Sequence, residues 1–166
     1  MKRVISCILV LVCLLLLGAC KNEQTPDVSL YDLSRTMLSA TEFGEMNYVS
    51  SSDDAARDLF TYISDMDYEK VNRFFLSYAK DGKGNADEIA VIEVKNKADL
   101  DTAVKSLNAH LQKRINLYRT YDPTQSAKIE KGEVFTEAGL AILIVSEDNA
   151  AVKSACISAL KPSQGN

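Results

Sequence analysis

The thiol of Cys20 is the side chain whose chemistry is most clearly indicated by its neighbours. It follows Leu17, Gly18 and Ala19, and the two small residues leave room for a peptidase to approach the backbone. A cysteine in this setting can take a diacylglyceryl group as a thioether, after which cleavage makes it the new N-terminus. The pattern is typical of bacterial lipoprotein processing and predicts lipidation of Cys20.

The segment before Cys20 has the charge and hydropathy of an export signal. Lys2 and Arg3 form a positive n-region, which stays on the cytoplasmic side of the membrane. Residues 4–17 form an almost wholly apolar stretch of 14 residues, shorter than the ~20 residues of a permanent membrane span. The alternatives are an ordinary secretory signal, which the bulky Leu17 disfavours, and a membrane-embedded helix.

These features predict the organisation of the chain. We expect residues 1–19 to be a lipoprotein signal peptide, residues 20–28 a lipidated N-terminus and tether, and residues 29–161 one extracytoplasmic domain. Two acyl chains suffice for stable anchoring, so the predicted location is the outer face of the cell membrane. The membrane itself, through the diacylglyceryl group on Cys20, is therefore the first predicted partner.

The charge of the mature chain argues against two classes of anionic partner. Without residues 1–19, which carry two basic residues and no acidic one, 147 residues remain, with 17 basic and 23 acidic side chains. The resulting net charge of −6 argues against binding to nucleic acid and to anionic lipid headgroups.

Cys156 is the single cysteine left in the mature chain once Cys20 is lipidated, so no internal disulfide is expected. It shares the apolar side of a C-terminal helical pattern with Val152 and Ala159, which favours a buried thiol. A reactive thiol or a disulfide between two molecules is the alternative.

Two patterns that resemble catalytic or metal sites are incomplete. Ser77 and Lys80 have the Ser-x-x-Lys spacing of penicillin-recognising enzymes, but a strand is predicted there, which points them to opposite faces. Residues 65–69 begin like a calcium loop, yet Lys70 stands where glycine is needed and Leu76 where a bidentate carboxylate is needed. We predict no catalytic residue, no metal, no cofactor and no enzymatic activity.

His110 and a short aromatic segment are the remaining candidates. His110, the only histidine, lies at the boundary of an apolar helical stripe, which favours a half-buried packing residue over a general base. Tyr118, Tyr121 and Pro123 are either an exposed interaction surface or a corner that returns the chain to the sheet. The sequence favours the corner.

Hydrophobic periodicity predicts the elements that position these residues. Strands are predicted over residues 45–50, 71–80, 88–95, 128–136 and 140–146. Helices are predicted from Ser29, from Ser52 or Asp53, from Leu100 to a stop at Pro123, and after Asp148. The second of these helices should bury Ala55, Leu59, Tyr62, Ile63 and Met66.

The predicted architecture is α+β, an antiparallel sheet of about four to five strands with amphipathic helices packed on one face. Residues 141–145 are apolar at every position and are expected to form a central strand.

Four features together resemble a family of small Gram-positive lipoproteins common in clostridia, catalogued as a domain of unknown function. They are the motif that ends at Cys20, the strand start Ala-Asp-Glu-Ile-Ala-Val at residues 86–91, the long helix, and Tyr121-Asp122-Pro123 after it. The resemblance covers about residues 31–160. It implies an envelope location and an α+β domain, and it implies no activity.

Three function classes remain. An anchored small domain without a catalytic constellation favours a protein-interaction or accessory module with an envelope protein as its partner. Binding or sensing of a small ligand is the alternative, and it requires a sizeable pocket between helix and sheet. An envelope hydrolase is the least favoured class, because the sequence offers no acid or nucleophile pair.

Overall fold

The structure, a computed structural model, describes residues 28–80 and 85–161. The predicted signal peptide, Cys20 and nearly all of the predicted tether lie outside the described residues.

A single antiparallel sheet of five strands organises the domain. The strands are β1 (Met46–Ser50), β2 (Val71–Ala79), β3 (Glu88–Val94), β4 (Glu133–Glu137) and β5 (Leu140–Val145), in the order β1-β2-β3-β5-β4. The helices are α1 (Leu30–Leu38), α2 (Ala56–Phe60), α3 (Leu100–Tyr121), α4 (Pro123–Glu130) and α5 (Asn149–Leu160). Short 3₁₀ turns at Tyr68–Lys70 and Lys97–Asp99 precede β2 and α3. The predicted α+β class and antiparallel sheet are confirmed.

Strand β5 has a neighbour on each side, as its apolar sequence predicts, and β3 occupies the middle position. The hairpin between β4 and β5 turns through two residues, Ala138 and Gly139, with φ of 48° and 79°. Positive φ at both positions is the geometry of a type I′ turn, whose twist matches that of the flanking strands. Gly139 adopts it without steric cost, because it has no Cβ.

Helices cover both faces of the sheet, so the expectation that they pack on one face is wrong. Helices α2, α3 and α4 pack with Phe74 and Ile92 on one face, which we call the α3 face. Helices α1 and α5 pack with Phe75 and Ile142 on the other. The physical reason is that β3 and β5 are apolar at consecutive positions, so both of their faces must be removed from water.

Three local elements also differ from their predictions. The second helix covers only Ala56–Phe60, so Ala55 and Tyr62 are exposed instead of buried on its apolar face. Residues 128–136 do not form one strand, because α4 continues to Glu130 and β4 begins at Glu133. Pro123 does end the long helix, but it also occupies the first turn of α4, where proline's missing N–H costs nothing. The Asp122 side chain caps α4 by accepting a hydrogen bond from the Thr124 N–H.

Helix α3 is the longest described element, with 22 residues. The apolar stripe predicted for it, Leu100, Val104, Leu107, Leu111, Ile115 and Tyr118, packs against the core, which confirms that prediction. Ala103, Leu107 and Leu111 are buried against β3 and β5. Among the helices in residues 28–80 and 85–161, α3 included, we find none long and apolar enough to cross a membrane.

The substitution Leu107→Ala is expected to lower the free energy of unfolding by about 2–5 kcal/mol, the usual cost of truncating a buried leucine. Leu107 is fully buried in the core of the α3 face, whereas Leu117 of the same helix is 50% exposed. Leu117→Ala is therefore the matched control, with little expected loss. Urea denaturation followed by circular dichroism measures both, and equally small losses would show that the stripe does not face the core.

Candidate functional site

An open cleft of about 430 Å³ lies between α3 and the β2–β3 end of the sheet. His110, Arg114 and Tyr118 of α3 line one wall, and their spacing of four residues places them on one face of the helix. Leu76 and Tyr78 of β2 line the other wall, since alternate residues of a strand share a face. The cleft therefore combines helix and strand side chains that are distant in sequence.

A buried ion cluster forms the polar floor of the cleft. The carboxylate of Glu88, whose side chain is 6% exposed, accepts a hydrogen bond of 2.7 Å from His110 Nε2. Its other oxygen lies 3.2 Å from Arg114 Nη1, an electrostatic contact without hydrogen-bond geometry. Arg114 Nη2 donates to the Ala86 carbonyl at 3.1 Å, and the guanidinium carbon lies 5.5 Å from the centre of the Tyr118 ring. These contacts fix the orientation of all four side chains.

The orientation of the His110 ring follows from this contact. Because a carboxylate can only accept, Nε2 carries the proton that is shared with Glu88. In the neutral imidazole, Nδ1 is then an acceptor. The cluster thus presents a defined arrangement of donors and acceptors at the floor of the cleft.

A second ion cluster holds the beginning of β3 in place. Lys128 of α4 lies 2.9 Å from the Asp87 carboxylate and 2.8 Å from Glu147. Burial alone would lower the pKa of Lys128, but its hydrogen bonds to Glu147 and Asp87 outweigh burial and raise the pKa above its usual value. Gln125, also on α4, accepts a hydrogen bond from the Ala86 N–H. Helix α4 therefore supports the segment that carries Glu88.

Three tyrosines, together with Ile63, Leu76 and Ala79, supply the aromatic and aliphatic part of the described cleft surface. Tyr62 is 70% exposed and Tyr78 is 37% exposed, whereas Tyr118 is half-buried and donates a 3.4 Å hydrogen bond to the Asn85 carbonyl. Ile63 and Leu76 are buried beside them. The surface offered to a ligand is a set of aromatic rings around a fixed polar floor.

The structure separates the residues of the predicted aromatic segment. Tyr118 lines the cleft, Tyr121 is 80% exposed, and Pro123 begins α4 at the corner of the chain. That Tyr118, Tyr121 and Pro123 form an interaction surface stays a prediction.

His110 is half-buried as expected, but its partner Glu88 was not predicted from the sequence. Tyr62, Tyr78 and Arg114 were not predicted as cleft residues either. Two features of the sequence could have indicated the cleft. His110, Arg114 and Tyr118 recur every four residues on one helix face, and Glu88 is an acidic residue at the start of an apolar strand.

Cys156 is fully buried between α5, α1 and the sheet, which confirms the predicted packing role. Burial, with a smaller contribution from Glu137, raises the pKa of its thiol to about 12. The thiol therefore stays protonated at neutral pH, the form that is a poor nucleophile.

The incomplete catalytic and metal patterns are not assembled in the fold. Ser77 is buried on the sheet face opposite Tyr78, whereas the Lys80 side chain is 61% exposed and pairs with Glu45. The Asp65 carboxylate accepts from the Ser106 hydroxyl. Within residues 28–80 and 85–161, no three histidine, cysteine, aspartate or glutamate side chains converge as a metal site.

The fold and the cleft define an α+β domain with an open, tyrosine-lined site. The sequence model of a family described as a domain of unknown function, DUF4358, matches residues 45–146. The match covers more than half of the chain, and the protein belongs to this family. Searches of curated proteins and of solved structures gave no match.

The matched segment begins one residue before β1 and ends one residue after β5. It therefore contains the whole sheet, the helices of the α3 face and every residue that lines the cleft, but neither α1 nor α5.

Proposed function

We propose that the protein is a lipid-anchored lipoprotein of a Gram-positive cell envelope, held at the outer face of the membrane through Cys20. Its domain is a non-catalytic accessory module that binds a ligand in the cleft beside α3. The observation that carries the proposal is the cleft itself, whose volume of about 430 Å³ is within the usual ~300–1,000 Å³ of ligand sites. Its apolar and aromatic surface with a few convergent polar groups is also typical of such sites.

The side chains of the cleft support binding rather than catalysis. Among the described residues that line it there is no serine, threonine or cysteine. His110 shares its Nε2 proton with Glu88, and Glu88 in turn lies against Arg114. The acidic and basic groups are therefore paired with each other. Asp87 and Glu88 are the described carboxylates of the cleft that could act as nucleophiles, and each is held in an ion pair, Asp87 with Lys128 and Glu88 with His110 and Arg114.

A protein-interaction module is the second candidate, and one surface feature favours it. Leu117 and Tyr121 lie four residues apart on α3 and are 50% and 80% exposed. Residues at this spacing are neighbours on a helix surface, so together they present a small apolar patch outside the cleft. An envelope protein would be the partner for this patch.

Site-specific photo-crosslinking distinguishes the two candidates. The photoreactive residue p-benzoylphenylalanine replaces Tyr62, Tyr121 or Tyr31 in the full-length chain, expressed in the cells that make the protein. Tyr31 is the control for capture elsewhere on the domain, because it is 55% exposed on α1 and lines a different, smaller pocket of about 330 Å³. After irradiation, mass spectrometry identifies what is attached at each position.

We expect a discrete ligand adduct at position 62 and none at positions 121 and 31. A protein adduct at position 121 without an adduct at position 62 would replace the proposal with the second candidate. Equal adducts at all three positions would contradict both, because they would show non-specific capture.

A further inference from the structure

Each charged side chain that the structure describes along the cleft has an oppositely charged partner. Glu88 pairs with His110 and Arg114. Asp87 pairs with Lys128, and Lys80 with Glu45. A site for an anionic or cationic ligand would offer a buried charge without an oppositely charged partner, and each buried charge described in the cleft has one.

The balance of charge around the cleft leads to the same conclusion. Among the described residues, the cations around the cleft are Lys80, Arg114 and Lys128, and the anions are Glu45, Asp87, Glu88 and Glu147. These residues carry no excess of positive charge that would attract a phosphate or carboxylate, and the domain as a whole is acidic. The carboxylates of Asp87 and Glu88 are almost fully buried and already paired, with side chains 4% and 6% exposed. A neutral ligand fits this surface best.

The tyrosines indicate which class of neutral ligand is complementary to the cleft. Tyr62, Tyr78 and Tyr118 each combine an apolar ring with a hydroxyl group at its rim. A purely apolar ligand would cover the hydroxyls of Tyr62 and Tyr78 without giving them partners, which costs free energy. The complementary ligand has C–H faces that lie on the rings and many hydroxyl groups at its edges. A saccharide ring has this surface.

The polar side chains of the cleft are also held in fixed positions, which favours binding of a ligand with hydroxyl groups. Glu88, His110 and Arg114 hold one another in fixed orientations, and the Asn85 amide lies beside them at the cleft wall. Fixed donors and acceptors lose little conformational entropy on binding. The Asn85 amide and the tyrosine hydroxyls can contact the hydroxyl groups of a sugar, beside a carboxylate and a guanidinium that already pair with each other.

From these observations, and resting on the proposed function, we infer that the cleft binds a neutral saccharide. The tyrosine rings contact the faces of the sugar, and the Asn85 amide and the tyrosine hydroxyls hydrogen-bond its hydroxyl groups.

Binding of defined tetrasaccharides to the full-length lipidated protein in detergent micelles tests this inference by saturation-transfer NMR. The neutral probes are the tetramers of N-acetylglucosamine and of β-1,4-linked glucose. The charged probes are the tetramers of glucosamine, which shares the backbone of the first probe and is cationic, and of galacturonate, which is anionic. We expect at least one neutral tetramer to bind and both charged tetramers to bind more weakly.

The variant Tyr62→Ala is expected to weaken binding of the neutral tetramer by about tenfold, since one aromatic contact of about 1.4 kcal/mol corresponds to that factor. Tyr62 is 70% exposed, so the variant is expected to fold. Tyr121→Ala is the matched control, 80% exposed outside the cleft, and leaves affinity unchanged. Salt should alter the affinity by less than about twofold between 50 and 500 mM, because no net charge is exchanged.

Preferential binding of a charged tetramer, or binding of none of the four, would overturn the saccharide inference. The photo-crosslinking result separates this failure from that of the proposed function. An adduct at position 62 without saccharide binding leaves a cleft ligand of another class, whereas absence of both removes the cleft as a binding site.

Discussion

The substitution Glu88→Ala is expected to lower the free energy of unfolding by about 3–5 kcal/mol, the usual cost of removing one partner of a buried ion pair. The Glu88 side chain is 6% exposed, and those of His110 and Arg114 are each 14% exposed. Without Glu88, the guanidinium of Arg114 would keep its charge in this poorly solvated position with only the Ala86 carbonyl and the Tyr118 ring as partners. Urea denaturation at neutral pH measures the loss.

The same substitution at an exposed ion pair is the control for Glu88→Ala. Glu69 pairs with Arg57, and their side chains are 67% and 60% exposed. Glu69→Ala is expected to cost less than about 1 kcal/mol, because solvent screens exposed pairs. If the two variants lose equal stability, the Glu88 cluster does not hold the floor of the cleft. The double variant Glu88→Leu, Arg114→Leu should recover part of the loss, since it leaves no unpaired guanidinium.

Local signals in the sequence were sufficient to place most elements. Ser29 caps α1 by accepting from the Asp32 N–H, and Asp148 caps α5 by accepting from the Ala151 N–H, both as expected. The long helix spans the predicted stripe because its apolar residues recur with the helical period. These features depend on neighbours within about one helical turn, which the sequence shows directly.

Which helices cover which face of the sheet was harder to predict, because it depends on contacts between elements that are distant in sequence. Strand β3 is buried at nearly every position, so both of its faces need cover. The first and the last helix of the domain, α1 and α5, together cover one face of the sheet. Their packing joins residues near the two ends of the domain, a contact that no local pattern indicates.

The cleft could not be predicted from single residues. Glu88 and His110 are separated by 22 residues in sequence, and they meet only because the register of β2 and β3 places Glu88 under α3. Tyr62 was expected on the buried face of a helix, but α2 ends at Phe60 and the tyrosine lies exposed at the cleft. A helix of five residues leaves no further turn to bury it.

The substitution Cys20→Ser is expected to abolish incorporation of a fatty-acid probe and to leave the chain as an uncleaved precursor that retains residues 1–19. A hydroxyl does not form the thioether that the predicted processing requires. Cys13→Ser is the matched control, since it makes the same change within the segment that is removed. Metabolic labelling with an alkyne fatty acid, followed by gel electrophoresis and membrane fractionation, measures both variants.

The two alternatives for the N-terminus predict different results for Cys20→Ser. With an ordinary secretory signal, the variant would be cleaved and released as the wild-type chain is, and neither would carry label. With a membrane-embedded helix, both would stay uncleaved in the membrane without label. Only lipidation at Cys20 makes label and cleavage depend together on one sulfur atom. Anchoring by two acyl chains, at ~0.8 kcal/mol per buried methylene, would then hold the acidic domain at a membrane surface for which it has no electrostatic attraction.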